Sequence, residues 1–126
     1  MRRGREAVNF YKDAFGAVEI YRVGGTEEAE EVVAQLSLGG AFFWVSDESP
    51  AHKNFSPESL GGSTVRLLLT VPDPQSVVER AVTPGATEVS PVQEEHGWLI
   101  GRIEDPYGHQ WEIGKPLVEW PPSHAS

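Results

Sequence analysis

The chain contains no cysteine. That excludes disulfides, thiolate metal ligands and a cysteine nucleophile. Basic residues are also scarce: 10 Lys+Arg stand against 19 Asp+Glu, a formal net charge of -9 at pH 7. A surface of that sign repels phosphate backbones, so no nucleic-acid partner is expected; solubility and weak self-repulsion are the plainer consequences. Long apolar runs are missing, and those present are too short to cross a bilayer. The opening MRRGREAVNFY is basic but has no apolar stretch behind it, so it does not read as a secretory signal. A cytoplasmic protein without a membrane partner is the expectation.

What is present suffices for one domain. The chain has 126 residues, 39% of them hydrophobic, enough to bury a core and far from a disordered composition. Apolar residues at Ala7, Val8, Phe10, Tyr11, Ala14 and Phe15 follow the spacing of one helix face, and Gly16 is a natural stop. Strands are expected over Ala17–Val23, from Val32 to Leu38 and over the aromatic-rich AFFWVSD, with a polar turn GGTEEAEE between the first two. Glu48 to Gly62 has no period and reads as a long loop. Thr64–Val71 reads as a strand covered on both faces. Asp73 and Pro74 have the chemistry of a helix start, so PQSVVERAVT is expected to be helical. Strands then follow in PGATEVSPV, WLIGRIE and HQWEIG.

The pattern repeats. EAVNFYKDAFGAVEI and QSVVERAVTPGATEV align without a gap, and Gly16 matches Gly85, 69 residues on. The same offset takes Val8 to Val77, Ala17 to Ala86, Glu19 to Glu88 and Gly39 to Gly108. Helix, strand, strand, strand occurs twice. The second copy has an extra strand in front; carried back 69 residues, Thr64–Val71 falls almost wholly before Met1. The first copy is therefore expected to lack its leading strand.

Tandem βαβββ modules, with AVNFYKDAFGA, VERAVTPGATEVSPV and RIEDPYGHQWEI in order, resemble the vicinal oxygen chelate superfamily: glyoxalases, bleomycin-resistance proteins and extradiol dioxygenases. The resemblance runs from about Arg5 to Lys115 and is nearest to the PhnB-like branch. It implies an α+β fold in which two βαβββ modules, about 1–56 and about 63–115, form a cupped mixed sheet, followed by a flexible tail, 116–126. It also implies a shared cavity where metal-dependent members hold one divalent ion with four His, Gln or Glu side chains.

Those four positions test poorly. One falls on Glu112, an acceptable carboxylate. Another falls on Arg66, whose guanidinium has no lone pair to give. A third falls on Phe43 or Trp44, and the fourth on the strand this chain lacks. No metal and no cofactor are expected. Two readings of the pair remain: Arg66 and Glu112 form an ion pair where the ion would sit, or Arg66 faces solvent while Glu112 pairs locally, since a one-residue slip reverses the face. Phe43, Trp44, Trp98 and Trp111, with Arg66 and Glu112, are the candidate ligand-binding residues; core or dimer contacts are the plainer reading of each aromatic. His96 and Glu112 are weak catalytic candidates, the first beside a cavity mouth and the second as a base. His109 is expected to be exposed in its turn, and His52 and His124 are poor candidates. The functional expectation is a metal-free cavity for a small apolar or aromatic molecule, as the resemblance to drug-holding bleomycin-resistance proteins implies. The alternatives are a metal-dependent lyase or dioxygenase, or a metal-free isomerase. An unpaired sheet edge makes a homodimer the expected assembly.

Overall fold

A computed structural model of the chain describes residue 1, residues 3–25 and residues 31–118. The expected polar turn lies in part, and the tail in large part, outside them. The first helix, α1 (Gly4–Phe15), turns the predicted stripe inward: Ala7, Val8, Phe10, Tyr11 and Ala14 are buried. Its start is anchored from a distance, because the Gly4 N–H donates to Asp47 Oδ1 at 3.0 Å. Gly16 ends it in the left-handed region at φ 71°, where a side chain would be strained.

Three antiparallel strands follow, β1 (Val18–Gly24), β2 (Val32–Leu38) and β3 (Ala41–Ser46), in the order β1-β2-β3. Val32, Ala34 and Leu36 alternate into the core, while the residues between them face outward. Among the described residues no strand precedes α1. The terminal amine of Met1 donates to the Ser46 carbonyl at 2.8 Å, and the Glu48 N–H donates to the Met1 carbonyl, so the chain start lies against the end of β3.

The stretch from Glu48 to Gly62 is not the structureless loop expected. It holds a single 3-10 turn, Pro50–His52, and a one-turn helix α2 (Pro57–Leu60). Glu48 organises it: its carboxylate accepts from the Ser56 N–H at 2.8 Å and from the Ser59 hydroxyl at 2.7 Å. Such side-chain anchoring carries no hydrophobic period, so the pattern of apolar residues does not reveal it.

The second half contributes β4 (Arg66–Thr70), α3 (Pro74–Val82), β5 (Thr87–Glu95), β6 (Trp98–Glu104) and β7 (Gln110–Pro116). Asp73 caps α3 by accepting the Ser76 N–H at 3.3 Å, with Pro74 in the first turn. The sheet order is β4-β7-β6-β5, with β4 parallel to β7 and the other pairs antiparallel. Strand β4 is not covered on both faces: Leu67 and Leu68 are exposed, because β4 is the outermost strand of its sheet and, among the described residues, no helix covers its open side. Pro91 sits inside β5, which is tolerated on an outer strand where the register already shifts between Ser90 and Gln93.

Both sheets bury one face in a single core. Helices α1 and α3 pack against each other there, and the Arg80 Nε–H donates to the Asp13 carbonyl at 2.8 Å to tie the two. Tyr11, Phe15, Phe43 and Trp111 form an aromatic cluster across the halves, with Phe15 and Trp111 ring centroids 4.9 Å apart. The architecture is thus α+β, two sheets sharing one interior and each leaving its other face open.

Candidate functional site

Strand alternation decides what the open faces carry. On the first sheet, Tyr21 pairs with Gln35 and Gln35 with Trp44, while Ser37 pairs with Phe42. With Val23 and Val33 these make an apolar surface: Phe42 is 61% exposed and Trp44 57%. Tyr21 and Trp44 meet edge to face, centroids 6.1 Å apart. On the second sheet the open face holds Arg66 and Leu68 from β4, Gln110 and Glu112 from β7, and Trp98, Ile100 and Arg102 from β6. The registers Arg66 to Gln110, Leu68 to Glu112 and Arg102 to Glu112 fix this set. Gly114 lies beneath Trp98 and Ile100: an added Cβ there would stand 3.3 Å from the Trp98 ring.

Between the two sheets runs an apolar slot of about 180 Å³, lined by Leu38, Phe42 and Phe43 on one side and by Leu67, Leu68 and Trp111 on the other. It is smaller than the roughly 300–1,000 Å³ of ordinary small-molecule pockets. A drug-sized molecule would not fit inside it whole. Beside it, a recess of about 340 Å³ is lined by Ser63, Thr64, Val65, Arg66 and Gln110. A wider cleft of about 540 Å³ at the start of α1 includes Asp47, whose two carboxylate oxygens already accept the Gly4 and Val32 N–H groups. That cleft serves to anchor the helix.

Of the two readings of the pair, the structure brings Arg66 and Glu112 together. Arg66 Nη1 lies 3.5 Å from Glu112 Oε1, the two side chains 51% and 29% exposed. In that degree of solvent the contact contributes under about 1 kcal/mol to stability. Trp44 is on the open face and Trp98 is half-buried there. Phe43 and Trp111 instead point into the core, their rings 6.1 Å apart, and reach the slot only from beneath. His96 is exposed in the β5–β6 turn with φ 51° and touches neither the slot nor the pair.

His109 is half-buried rather than exposed. Burial lowers its pKa below the usual imidazole value, against the opposing pull of Asp105. The reason is the turn itself: Asp105 is 3% exposed and gathers four donors around it. Its Oδ1 accepts the Tyr107 and His109 N–H groups at 2.9 and 3.0 Å; its Oδ2 accepts the Tyr11 hydroxyl at 2.5 Å and Trp111 Nε1–H at 3.0 Å. Burial, with Asp105 beside it, pushes the Tyr11 phenol well above its ordinary pKa.

Two residues of this region were not among the candidates. Asp105 is one, hidden because an Asp-Pro turn reads only as a turn. Arg102 is the other. The alternation Trp98, Ile100, Arg102 on one side of β6 and its pairing with Glu112 across a five-residue turn were the available signals. The Arg102 Nε atom is buried and has no hydrogen-bond partner among the described residues. Leaving such a donor unsatisfied costs about 1–3 kcal/mol.

Comparison with known proteins adds the family. The chain is 37% identical over 117 residues to the uncharacterized protein Mb0911c of Mycobacterium bovis, covering 90% of this chain and 76% of that one. The sequence profile of the glyoxalase At5g48480-like N-terminal domain matches residues 2–48. The crystal structure of the Arabidopsis thaliana At5g48480 gene product superposes with TM-score 0.70 at 34% identity, covering 90% of this chain and 89% of that one. The chain belongs to the At5g48480-like glyoxalase family of the vicinal oxygen chelate superfamily. The fosfomycin resistance protein FosX of Mesorhizobium loti shares the fold alone, at TM-score 0.64 and 15% identity over 95% of this chain and 86% of its own.

Within this glyoxalase-like fold the donor set does not fit a divalent ion. Among the described residues no three His, Cys, Asp or Glu side chains are grouped so that they could hold a metal ion. Around Glu112 stand the cation Arg66, the cation Arg102 and the hydrocarbon of Leu68, while Phe43 faces away. The Arg66 guanidinium takes up the carboxylate, and neither guanidinium has a lone pair to offer an ion.

Proposed function

We propose that this glyoxalase-like protein binds a small apolar or aromatic molecule without a metal. The ligand would lie along the open faces, with its narrow end in the slot between the sheets. What carries the reading is the run of solvent-facing apolar side chains, Tyr21, Trp44 and Phe42, that leads across the slot to Leu68 and stops at the Arg66–Glu112 pair. Apolar walls supply affinity and a few polar groups supply orientation. Bleomycin-resistance-like sequestration needs no chemistry beyond that. The dioxygenase and lyase alternatives need metal ligands that Arg66 and Phe43 do not provide. An isomerase using Glu112 as base needs a carboxylate free of its guanidinium.

The same run of exposed apolar side chains is a surface of the kind that marks an interface, which supports a homodimer as the working form. Among the described residues no helix is long and apolar enough to cross a membrane, and the cytoplasm is the proposed location. A thermal-shift screen of flat aromatic compounds tests the binding reading. A ligand present at about 100 times its dissociation constant adds about 2.7 kcal/mol and raises the melting point by several degrees. A screen in which no aromatic compound raises it sinks the proposal. One divalent ion per chain in the purified protein, found by elemental analysis, sinks its metal-free part.

A further inference from the structure

We propose that the slot between the sheets is a subsite for one bare hydrocarbon ring, that it rejects hydroxylated rings, and that Ala41 sets its size. The inference rests on the binding reading above and names the end of the ligand that enters the slot. Strand register builds the walls. Ala41 pairs with Leu38 across β2 and β3, and Phe43 lies on the same side of β3 as Ala41. On the facing wall Leu67 pairs with Trp111 and Leu69 with Ile113, both buried, so the two leucines project from the core side of β4. Strands β3 and β4 are outermost in their own sheets and do not pair with each other, which leaves the gap.

The lining decides the chemistry. Among the described residues every side chain around the slot is aliphatic or aromatic, and the inner surface is almost wholly carbon. The one polar side-chain atom in that lining, Nε1–H of Trp111, already donates to Asp105 at 3.0 Å. A hydroxyl carried into the slot would leave water and meet no side chain to bond in return. The volume is of the right order for a single ring. The slot measures about 180 Å³, and an apolar cavity of about 150 Å³ lined by Leu, Ile and Phe takes up benzene. Trp111 closes the inner end and is held in place, bonded to Asp105 and packed against Tyr11 and Phe15. Ala41 is the one small side chain in the lining; the others are Leu, Phe and Trp. It is exposed at the start of β3, so a larger residue there would fill the slot without displacing the core.

The test is a titration with toluene and with phenol, followed by the indole N–H signal of Trp111 in nitrogen–proton NMR spectra. The two compounds differ only by a methyl group against a hydroxyl. A hydroxyl buried without a partner corresponds to a preference of about tenfold or more for toluene. Toluene is expected to shift the Trp111 signal, and Ala41→Leu is expected to abolish that shift. Leu67→Ala opens the facing wall at a residue 39% exposed, and is expected to move the preference from toluene toward naphthalene. Equal affinities for toluene and phenol overturn the proposal, as does toluene binding that leaves the Trp111 signal in place or survives Ala41→Leu unchanged. If toluene does not bind while larger aromatic compounds still raise the melting point, the subsite falls and the binding reading stands. If no aromatic compound binds, the two fall together.

Discussion

Replacing Asp105 with alanine should be among the most damaging single changes in the chain. The carboxylate is 3% exposed and accepts four hydrogen bonds. Removing it strands two buried side-chain donors: the hydroxyl of Tyr11, a residue 1% exposed, and Nε1–H of Trp111, a residue 5% exposed. Each such donor left without an acceptor costs about 1–3 kcal/mol. The His109 N–H is nearer the surface and can turn to water, so it adds little. The carboxylate's own desolvation is recovered on deletion, which trims the total. About 4 kcal/mol remains, against the roughly 5–15 kcal/mol of an ordinary domain. Urea denaturation followed by tryptophan fluorescence reads this directly. With a slope of about 2 kcal/mol per molar, the midpoint should fall by about 2 M. Asp105→Asn should cost about half as much, because the amide keeps the shape and one acceptor but turns an N–H toward one pair of donors. A loss below about 1 kcal/mol for Asp105→Ala would refute the reasoning, since one orphaned donor alone should exceed it.

Other outcomes follow from the same geometry. Tyr11 is raised well above its ordinary pKa and Tyr107 to about 12, so the unfolded chain releases these protons first; stability should decline as pH rises above about 10, and Tyr11→Phe should flatten that decline in melts across pH 9 to 12. Burial lowers the pKa of His109, so protons bind the unfolded chain more readily; stability should be intact above about pH 6.5 and fall below it, and His109→Gln should remove that acid loss in the same melts. Gly108 sits at φ +92°, and a Cβ there would stand 2.8 Å from Pro57 Cβ, so Gly108→Ala should cost roughly 2 kcal/mol in urea denaturation and loosen α2 toward proteolysis.

The legible parts of the fold were those written in period and spacing. The α1 stripe from Ala7 to Ala14, the alternation of Val32, Ala34 and Leu36, and the 69-residue offset all express burial, which repeats at fixed intervals. What escaped was held by polar groups acting over distance. Asp47 reaches back to α1, Glu48 gathers Ser56 and Ser59, and Asp105 joins Tyr11 from 94 residues away. Such pairings depend on three-dimensional closure and leave no local pattern. The candidate site divided along the same line. Arg66, Trp44 and Trp98 could be placed by register, whereas Phe43 and Trp111 turned out to face the core, because a strand residue's side depends on a parity that aromatic content alone does not set.

The bond between Asp105 and Tyr11, with the one from Arg80 to Asp13, joins the two halves of the chain. Neither half owns a complete interior, since the ring of Trp111 in the second half rests against Tyr11 and Phe15 in the first. Cutting the backbone in the exposed Gly61–Gly62 link would therefore yield two fragments that are each incompetent by themselves yet reassemble when mixed, as two parts of one mould do.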